Sequence, residues 1–182
     1  MKRVMILGQP GSGKSTLAVW LGQLTGLPVV HIDRIHHMPG WVERPKPEKI
    51  VLAMAEQAKD RWIMEGGLSA TYPNRMDRAD TIIWLDLPLG LRVRRVVWRT
   101  LRFYGTTRPD MQDDCPEGFH WDFFKWIWDT RRTGRQGPAR VLASAGPEKA
   151  LFHLKSPKDV RNFQFRIKTE FDPLHSTRDS TT

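Results

Sequence analysis

Short apolar runs alternate along the chain with amphipathic stretches of helical spacing. Val4-Met5-Ile6-Leu7 is unbroken by polar residues and reads as a buried strand. Leu17 to Leu24 is amphipathic at helical period and ends at Gly26, a glycine where a helix stops. Val29-Val30-His31-Ile32-Asp33 is a second strand, ending on a carboxylate. The loop Met38-Pro39-Gly40-Trp41 then leads into a helix from near Pro47 to about Lys59. Arg61-Trp62-Ile63-Met64-Glu65 predicts a third strand, broken by Gly66-Gly67. Thr81-Ile82-Ile83-Trp84-Leu85-Asp86 predicts a fourth, apolar enough for the middle of a sheet.

Pro88 opens a basic helix running to about Phe103, and Gly105 to Gly118 is a loop rich in Pro, Asp and Thr. An aromatic helix follows at Trp121–Asp129, then a short one near Pro138 and a fifth strand at Ala150–Leu154. Ser156 is placed to cap the last helix, with Pro157 at its first position. From about Asp172 the periodic pattern stops, and residues 172–182 are expected to be a loose tail. Short strands alternating with helices imply an α/β fold. Three α/β/α layers are expected, around a five-stranded parallel sheet that binds ligands at the strands' C-terminal edge.

Candidate chemistry sits on that edge. Gly8-Gln9-Pro10-Gly11-Ser12-Gly13-Lys14-Ser15, followed by Thr16, fits the phosphate-binding pattern G-x-x-x-x-G-K-[ST] at every fixed position. The glycines let the backbone turn tightly beside a polyphosphate. Successive amides and the N-terminus of the next helix then face the anion. Lys14 is expected on the β- and γ-phosphates and Ser15 on Mg²⁺. ATP with Mg²⁺ is the expected ligand. Asp33, Glu65-Gly66-Gly67 and Asp86 lie just past strand ends, so they converge on the same rim. Asp86 serves equally well as a turn former before Pro88.

Composition narrows the classes further. With 182 residues, 40% hydrophobic and 27% charged, the chain suits one globular unit and neither a disordered nor a membrane protein. The expected domain is 1–171. A strand at the very start leaves no room for a signal peptide, and the single Cys115 suits a reducing compartment, so a cytoplasmic location is expected. Cys115 with His120, and His36 with His37, lack metal-site spacing, and no zinc is expected. The net charge of +9 predicts anionic partners. Between Leu87 and Pro109 no residue is acidic, yet six are arginine: Arg92, Arg94, Arg95, Arg99, Arg102 and Arg108. Arg131, Arg132, Arg135 and Arg140 follow. Such a run favours contact with a transferring phosphoryl group, with Arg92 and Arg94 left to the surface. Trp121, Phe124, Trp126 and Trp128 are expected to pack in the core rather than stack on bases.

Several longer motifs add a resemblance. His31-Ile32-Asp33 precedes Pro39-Gly40-Trp41. Trp62-Ile63-Met64-Glu65-Gly66 precedes Ala79-Asp80-Thr81-Ile82-Ile83-Trp84-Leu85-Asp86-Leu87-Pro88. Arg108-Pro109-Asp110-Met111 leads to Cys115-Pro116-Glu117 and Trp126-Ile127-Trp128. Together with the phosphate loop, these resemble the bacterial DNA topology modulation protein family, related to the adenylate kinase-like P-loop kinases. The likeness runs from about residue 2 to 165. It implies a nucleotide or shikimate kinase-like fold with a substrate-binding segment at about 34–60 and an arginine-bearing lid at about 95–132.

By the same resemblance, Arg95 and Arg99 would contact the nucleotide base and the transferred phosphoryl, being seven and eleven residues after Pro88. Arg131 or Arg132 would return to the phosphates. Lys14, Asp33, Arg95, Arg99, Arg131 and Arg132 are the candidate catalytic residues. Asp33, Arg34, Trp41, Gly66 and Gly67 are candidates for substrate binding, and Ser15 and Glu65 for the metal, Glu65 through water. One departure stands out: Glu65-Gly66-Gly67-Leu68-Ser69 lacks the arginine that clamps a monophosphate in nucleoside monophosphate kinases. The expected activity is transfer of the γ-phosphoryl of ATP to a nucleotide, nucleoside or small hydroxyl compound. The alternative is an ATP-binding regulator that contacts nucleic acid through its basic surface.

Overall fold

In a computed structural model describing residues 1–171, the chain begins with β1 (Arg3–Gly8), α1 (Lys14–Thr25), β2 (Val29–His31), α2 (Ile32–His36), β3 (His37–Met38), β4 (Val42–Glu43) and α3 (Lys46–Gln57). It continues through β5 (Trp62–Glu65), α4 (Tyr72–Arg78), β6 (Thr81–Leu85) and α5 (Leu89–Arg102). The last elements are α6 (Trp121–Asp129), α7 (Gln136–Ser144), β7 (Ala150–Leu154) and α8 (Pro157–Glu170). The expected tail, 172–182, lies outside the described residues.

The main sheet has five parallel strands in the order β2-β5-β1-β6-β7. Side chains of β1 alternate between its two faces, as strand geometry requires. Val4 and Ile6 join Leu17, Leu21, Ile83, Phe163 and Ile167 on the face covered by α1 and α8. Met5 and Leu7 join Trp62, Met64, Ile82, Ala53 and Val141 on the face covered by α3 and α7. Val4, Met5, Ile6, Ile63, Ile82 and Ile83 are wholly buried, each contributing about 1.5–3 kcal/mol through removal of apolar surface from water. Three layers result, as the alternation of elements predicts. Ser156 caps α8 reciprocally with Asp159: the Asp159 amide donates to Ser156 Oγ at 3.1 Å and the Ser156 amide to Asp159 Oδ2 at 2.9 Å.

Three elements depart from the sequence expectation. The second strand stops at His31 and Asp33 lies in the one-turn helix α2, because β2 pairs only with β5 and their register ends at His31 opposite Glu65. A small antiparallel pair, β3 with β4, follows. Helix α4 is only seven residues long, and besides the partly buried Tyr72 and Met76 the residue it buries fully is Arg75, so apolar pattern announces it weakly.

Candidate active site

Register brings the phosphate loop, the end of β2 and Glu65 to one edge: Gly8 lies opposite Leu85, Ile6 opposite Glu65 and His31 opposite Glu65. Gly11 and Gly13 adopt φ of 73° and 92°, left-handed values that favour glycine. The Ser12 amide donates to Gln9 O at 3.2 Å and closes the turn. Lys14 Nζ lies 3.4 Å from Gln9 O, and the buried Ser12 hydroxyl has no partner. The whole run from Gly8 to Thr16 lines a crevice of about 1640 Å³.

Gly11 has a second constraint. A Cβ there would strike the Arg92 carbonyl oxygen and lie 2.9 Å from Val96 Cγ2, because α5 runs directly over the loop. Gly11→Ala is therefore expected to cost about 2–4 kcal/mol of stability, from left-handed strain plus overpacking, read as a lower urea midpoint.

At the same sheet edge, Glu65 is 1% exposed. Its Oε1 accepts from the Ser15 hydroxyl at 3.1 Å and lies 2.8 Å from His31 Nδ1, while the buried Oε2 has no partner. A hydroxyl beside an unsatisfied carboxylate oxygen fits Mg²⁺, an oxygen-seeking ion that keeps water and phosphate ligands. Among the described residues no group of three or more His, Cys, Asp or Glu could hold a metal, so such an ion would rely on the nucleotide's phosphates. Asp33 lines the crevice. Burial and then the Glu65 charge raise its pKa, against the opposing pull of Lys14 and Arg108.

The remaining substrate candidates separate. Trp41 and Gly67 line the crevice; Arg34 is exposed and outside its lining. Gly66, at φ 114°, packs its backbone against Ile32, whose Cβ would lie 2.9 Å from an added methyl. Trp41 is pinned by the loop after α5: its amide donates to Cys115 Sγ at 3.3 Å and its Nε1 to Pro116 O at 2.9 Å. Gly40 N donates to Asp114 O at 3.0 Å. The loop after α5 thus docks on the segment after α2 and roofs the crevice.

The arginine run divides by role. Arg92, expected at the surface, is 3% exposed and donates to Leu87 O at 3.1 Å and Pro10 O at 3.4 Å. It sits there because α5 packs on the loop through Arg92, Val96 and Thr100, one turn apart. Arg95 donates to Ser12 O at 3.1 Å, and both Arg95 and Arg99 line the crevice. Burial, then the charge of Arg108, lowers the pKa of Arg99. Arg108 is buried and paired with Glu117 and Asp110. Only Arg94 and Arg102 of the helical run face solvent without a role in this network, too few to form a continuous basic face. The nucleic-acid reading is not favoured.

Arg131 meets the phosphate loop through its carbonyl, which lies 3.4 Å from Gln9 Nε2, while its side chain turns to Trp128, donating to Trp128 O at 2.7 Å with its guanidinium 4.4 Å from the Trp128 ring. Arg132 is exposed, and neither residue lines the crevice. Arg135 donates to Asp86 Oδ2 at 2.6 Å, beside His153 Nε2 at 3.0 Å from the same oxygen. The aromatic helix also corrects its expectation: Trp121, Trp126 and Trp128 are 71, 50 and 58% exposed. Helix α6 buries only Ile127 and contributes no residue to either core cluster of the sheet. Phe124 is half-buried against Phe119.

Sequence reasoning missed His31, Arg75 and Glu117 as working residues, and the second contact of Gln9. Gln9 ties the phosphate loop to the end of α6, donating to Thr130 O at 3.0 Å. His31 had a signal, since alternation along β2 places it on the face shared with the Glu65 edge. Arg75 and Glu117 had none.

No family model matches the chain. Over 110 residues, 57% of this chain, it is 28% identical to "Uncharacterized protein YqaC" of Bacillus subtilis, and the match spans 60% of that protein, less than two thirds of its length. Among solved structures, shikimate kinase from Acinetobacter baumannii in complex with shikimate superposes at a TM-score of 0.53 and 13% identity, over 94% of this chain and 97% of that one. Deoxyadenosine kinase from M. mycoides with bound dCTP gives 0.49 and 11%, over 91 and 98%, too loose to carry an argument. Among the described residues no helix is long and apolar enough to cross a membrane. The chain has the three-layer α/β/α fold of P-loop kinases, with its phosphate loop and Asp33 on a single crevice and Glu65 bonded to Ser15 of that loop.

Proposed function

We propose that this protein is an ATP- and Mg²⁺-dependent phosphotransferase that moves the γ-phosphoryl group of ATP to a nucleotide, nucleoside or small hydroxyl compound. The observation that carries this reading is the meeting at one sheet edge of the Lys14–Ser15 loop with Glu65, which accepts from Ser15, and with Asp33, which lines the same crevice as the loop, while Arg95 and Arg99 line it from the flanking helix. The loop amides and Lys14 hold the phosphates. Ser15 and, through water, Glu65 would hold Mg²⁺, which when bound spreads the charge of the phosphate oxygens.

Asp33 orients the acceptor hydroxyl and takes its proton as the oxygen–phosphorus bond forms and the bond to ADP's bridging oxygen breaks. Arg95 and Arg99 neutralise the equatorial oxygens. The docked loop keeps out water that would otherwise take the phosphoryl group. On this reading 1–171 is the working unit, 34–60 the acceptor segment and 95–132 the lid. The resemblance to topology modulation proteins is consistent with it.

Incubation with γ-labelled ATP, Mg²⁺ and a panel of acceptors tests the proposal; label in an acceptor sustains it. Labelled free phosphate alone, at every acceptor, sinks it. Asp33 supplies a pH signature. Its raised pKa means the carboxylate loses charge at a higher pH than an exposed aspartate does, so the rate falls on acidification through that raised value. Asp33→Asn is expected to abolish this acid limb and lower kcat by about 10²-fold; an unchanged pH–rate profile removes Asp33 from the chemistry.

A further inference from the structure

We infer that the acceptor is an alcohol carrying no phosphate or carboxylate of its own, because Arg108, the guanidinium on the acceptor half of the crevice, is already paired with carboxylates, and Arg75 behind it is buried on a carbonyl and a hydroxyl. The inference rests on the phosphotransferase reading and narrows it. The acceptor half is walled by residues following β2 and β5, with Asp33, Trp41 and Leu68 among them, and by Arg108, Asp110 and Met111 of the docked loop.

An anionic acceptor needs a cation free to receive it, ideally a guanidinium fork. Arg108 is 8% exposed; it pairs with Glu117, and its Nη1 lies 3.0 and 2.8 Å from the two oxygens of Asp110. Arg99 Nε lies 3.6 Å from the same Glu117 carboxylate. Arg75, just beyond the Gly66-Gly67 turn where a monophosphate clamp would be sought, is wholly buried and donates to Gly66 O and Thr71 Oγ1. Arg34 is outside the lining. Lys14 belongs to the phosphates of ATP.

The carboxylates are not matched in return. Asp33 lines the crevice and has no ion-pair partner among the described residues, while Glu65 and Asp110 both push its pKa upward. A phosphate or carboxylate placed beside Asp33 would meet carboxylates on two sides, and like charges in a half-enclosed cleft repel strongly. A hydroxyl, by contrast, donates to Asp33 and brings no charge. The adjoining wall of Trp41, Leu68, Tyr72 and Met111 suits the apolar or aromatic part of such an alcohol.

The test measures binding apart from transfer. The full chain, saturated with Mg²⁺ and a non-hydrolysable ATP analogue so that the phosphate loop is filled, is titrated calorimetrically with matched pairs: nucleosides and their 5′-monophosphates, sugars and their sugar acids. The neutral member is expected to bind at least about tenfold more tightly. Equal or tighter binding of the anionic member overturns the inference, as does failure of every neutral alcohol to bind.

A second arm releases Arg108. Glu117→Gln is expected to raise affinity for the monophosphates by about tenfold. Should that variant not fold, Asp110→Asn, at the more exposed partner, carries the same expectation. No gain in a folded variant also counts against the pairing argument. Neutral alcohols that bind but are never labelled strike the phosphotransferase reading and leave the acceptor's charge class standing.

Discussion

Lys14→Ala is expected to lower phosphoryl transfer by about 10³-fold or more, the scale of losing a main electrostatic donor to a transition state. Lys14 is the one cation within the loop itself, at the N-terminus of α1, and its Nζ reaches no carboxylate, only Gln9 O at 3.4 Å. Its charge is thus available to the phosphates. A single long hydrogen bond contributes little to folding, so the unfolding midpoint should move by no more than about 0.5 kcal/mol. A steady-state assay beside a urea titration separates the two effects. Lys14→Arg is not expected to rescue, because a planar fork does not replace a compact ammonium in a cradle of amides. Retained transfer in Lys14→Ala would remove the loop from the chemistry.

Arg75→Ala is the largest stability effect the structure implies. The side chain is wholly buried, donates to Gly66 O at 3.0 Å and Thr71 Oγ1 at 3.1 Å, and lies 5.4 Å from the Tyr72 ring centre. Truncation leaves a cavity and an orphaned carbonyl, together costing about 3–5 kcal/mol in a denaturant titration.

Arg75 is not a free gain for the native state. Burial first, with Tyr72 and Glu65 opposing it, pulls its pKa down to about 10. A base with a lowered folded-state pKa is held charged at a cost. That cost, about 3 kcal/mol, is present at neutral pH and is relieved only as pH rises through about 10. The hydrogen bonds and the stacking must offset it. Arg75→Met, which keeps volume without charge, is accordingly expected to lose about half as much stability as the alanine variant. It should still impair transfer, because the Gly66-Gly67 turn that follows Glu65 loses its prop. Equal losses in the two variants would show that cavity volume is not the governing term.

Much of the fold was legible because its signals are local. The run Val4–Leu7, the loop Gly8–Ser15 and the helix stop at Gly26 each declare themselves within a few residues, and all three stand where the pattern places them. The cap at Ser156 was equally plain, and the structure adds its reciprocal partner Asp159 three residues on. Helix α2 was hidden because its boundary is set by how far β5 extends, not by anything in Ile32–His36. Helix α4 was hidden because a buried arginine reads as a surface residue in any apolar pattern. The aromatics of α6 misled for the converse reason: apolar character is an argument for burial only when an opposing surface exists, and α6 packs in neither core cluster of the sheet.

From the sequence alone came the α/β class, the parallel sheet and a phosphate-binding loop aimed at its C-terminal edge, since periodicity and motif spacing are properties of neighbouring residues. Only the tertiary structure decided which charges are spent and which remain to be used. Ser15 meets Glu65 across 50 positions, Trp41 meets Pro116 across 75 and Gln9 meets Thr130 across 121. Partners that far apart leave no trace in local pattern, because what pairs them is the closing of the chain around one crevice. The pairing of Arg108 with Glu117 and Asp110, which leaves Asp33 on the crevice without an ion-pair partner among the described residues, belongs to that same closure.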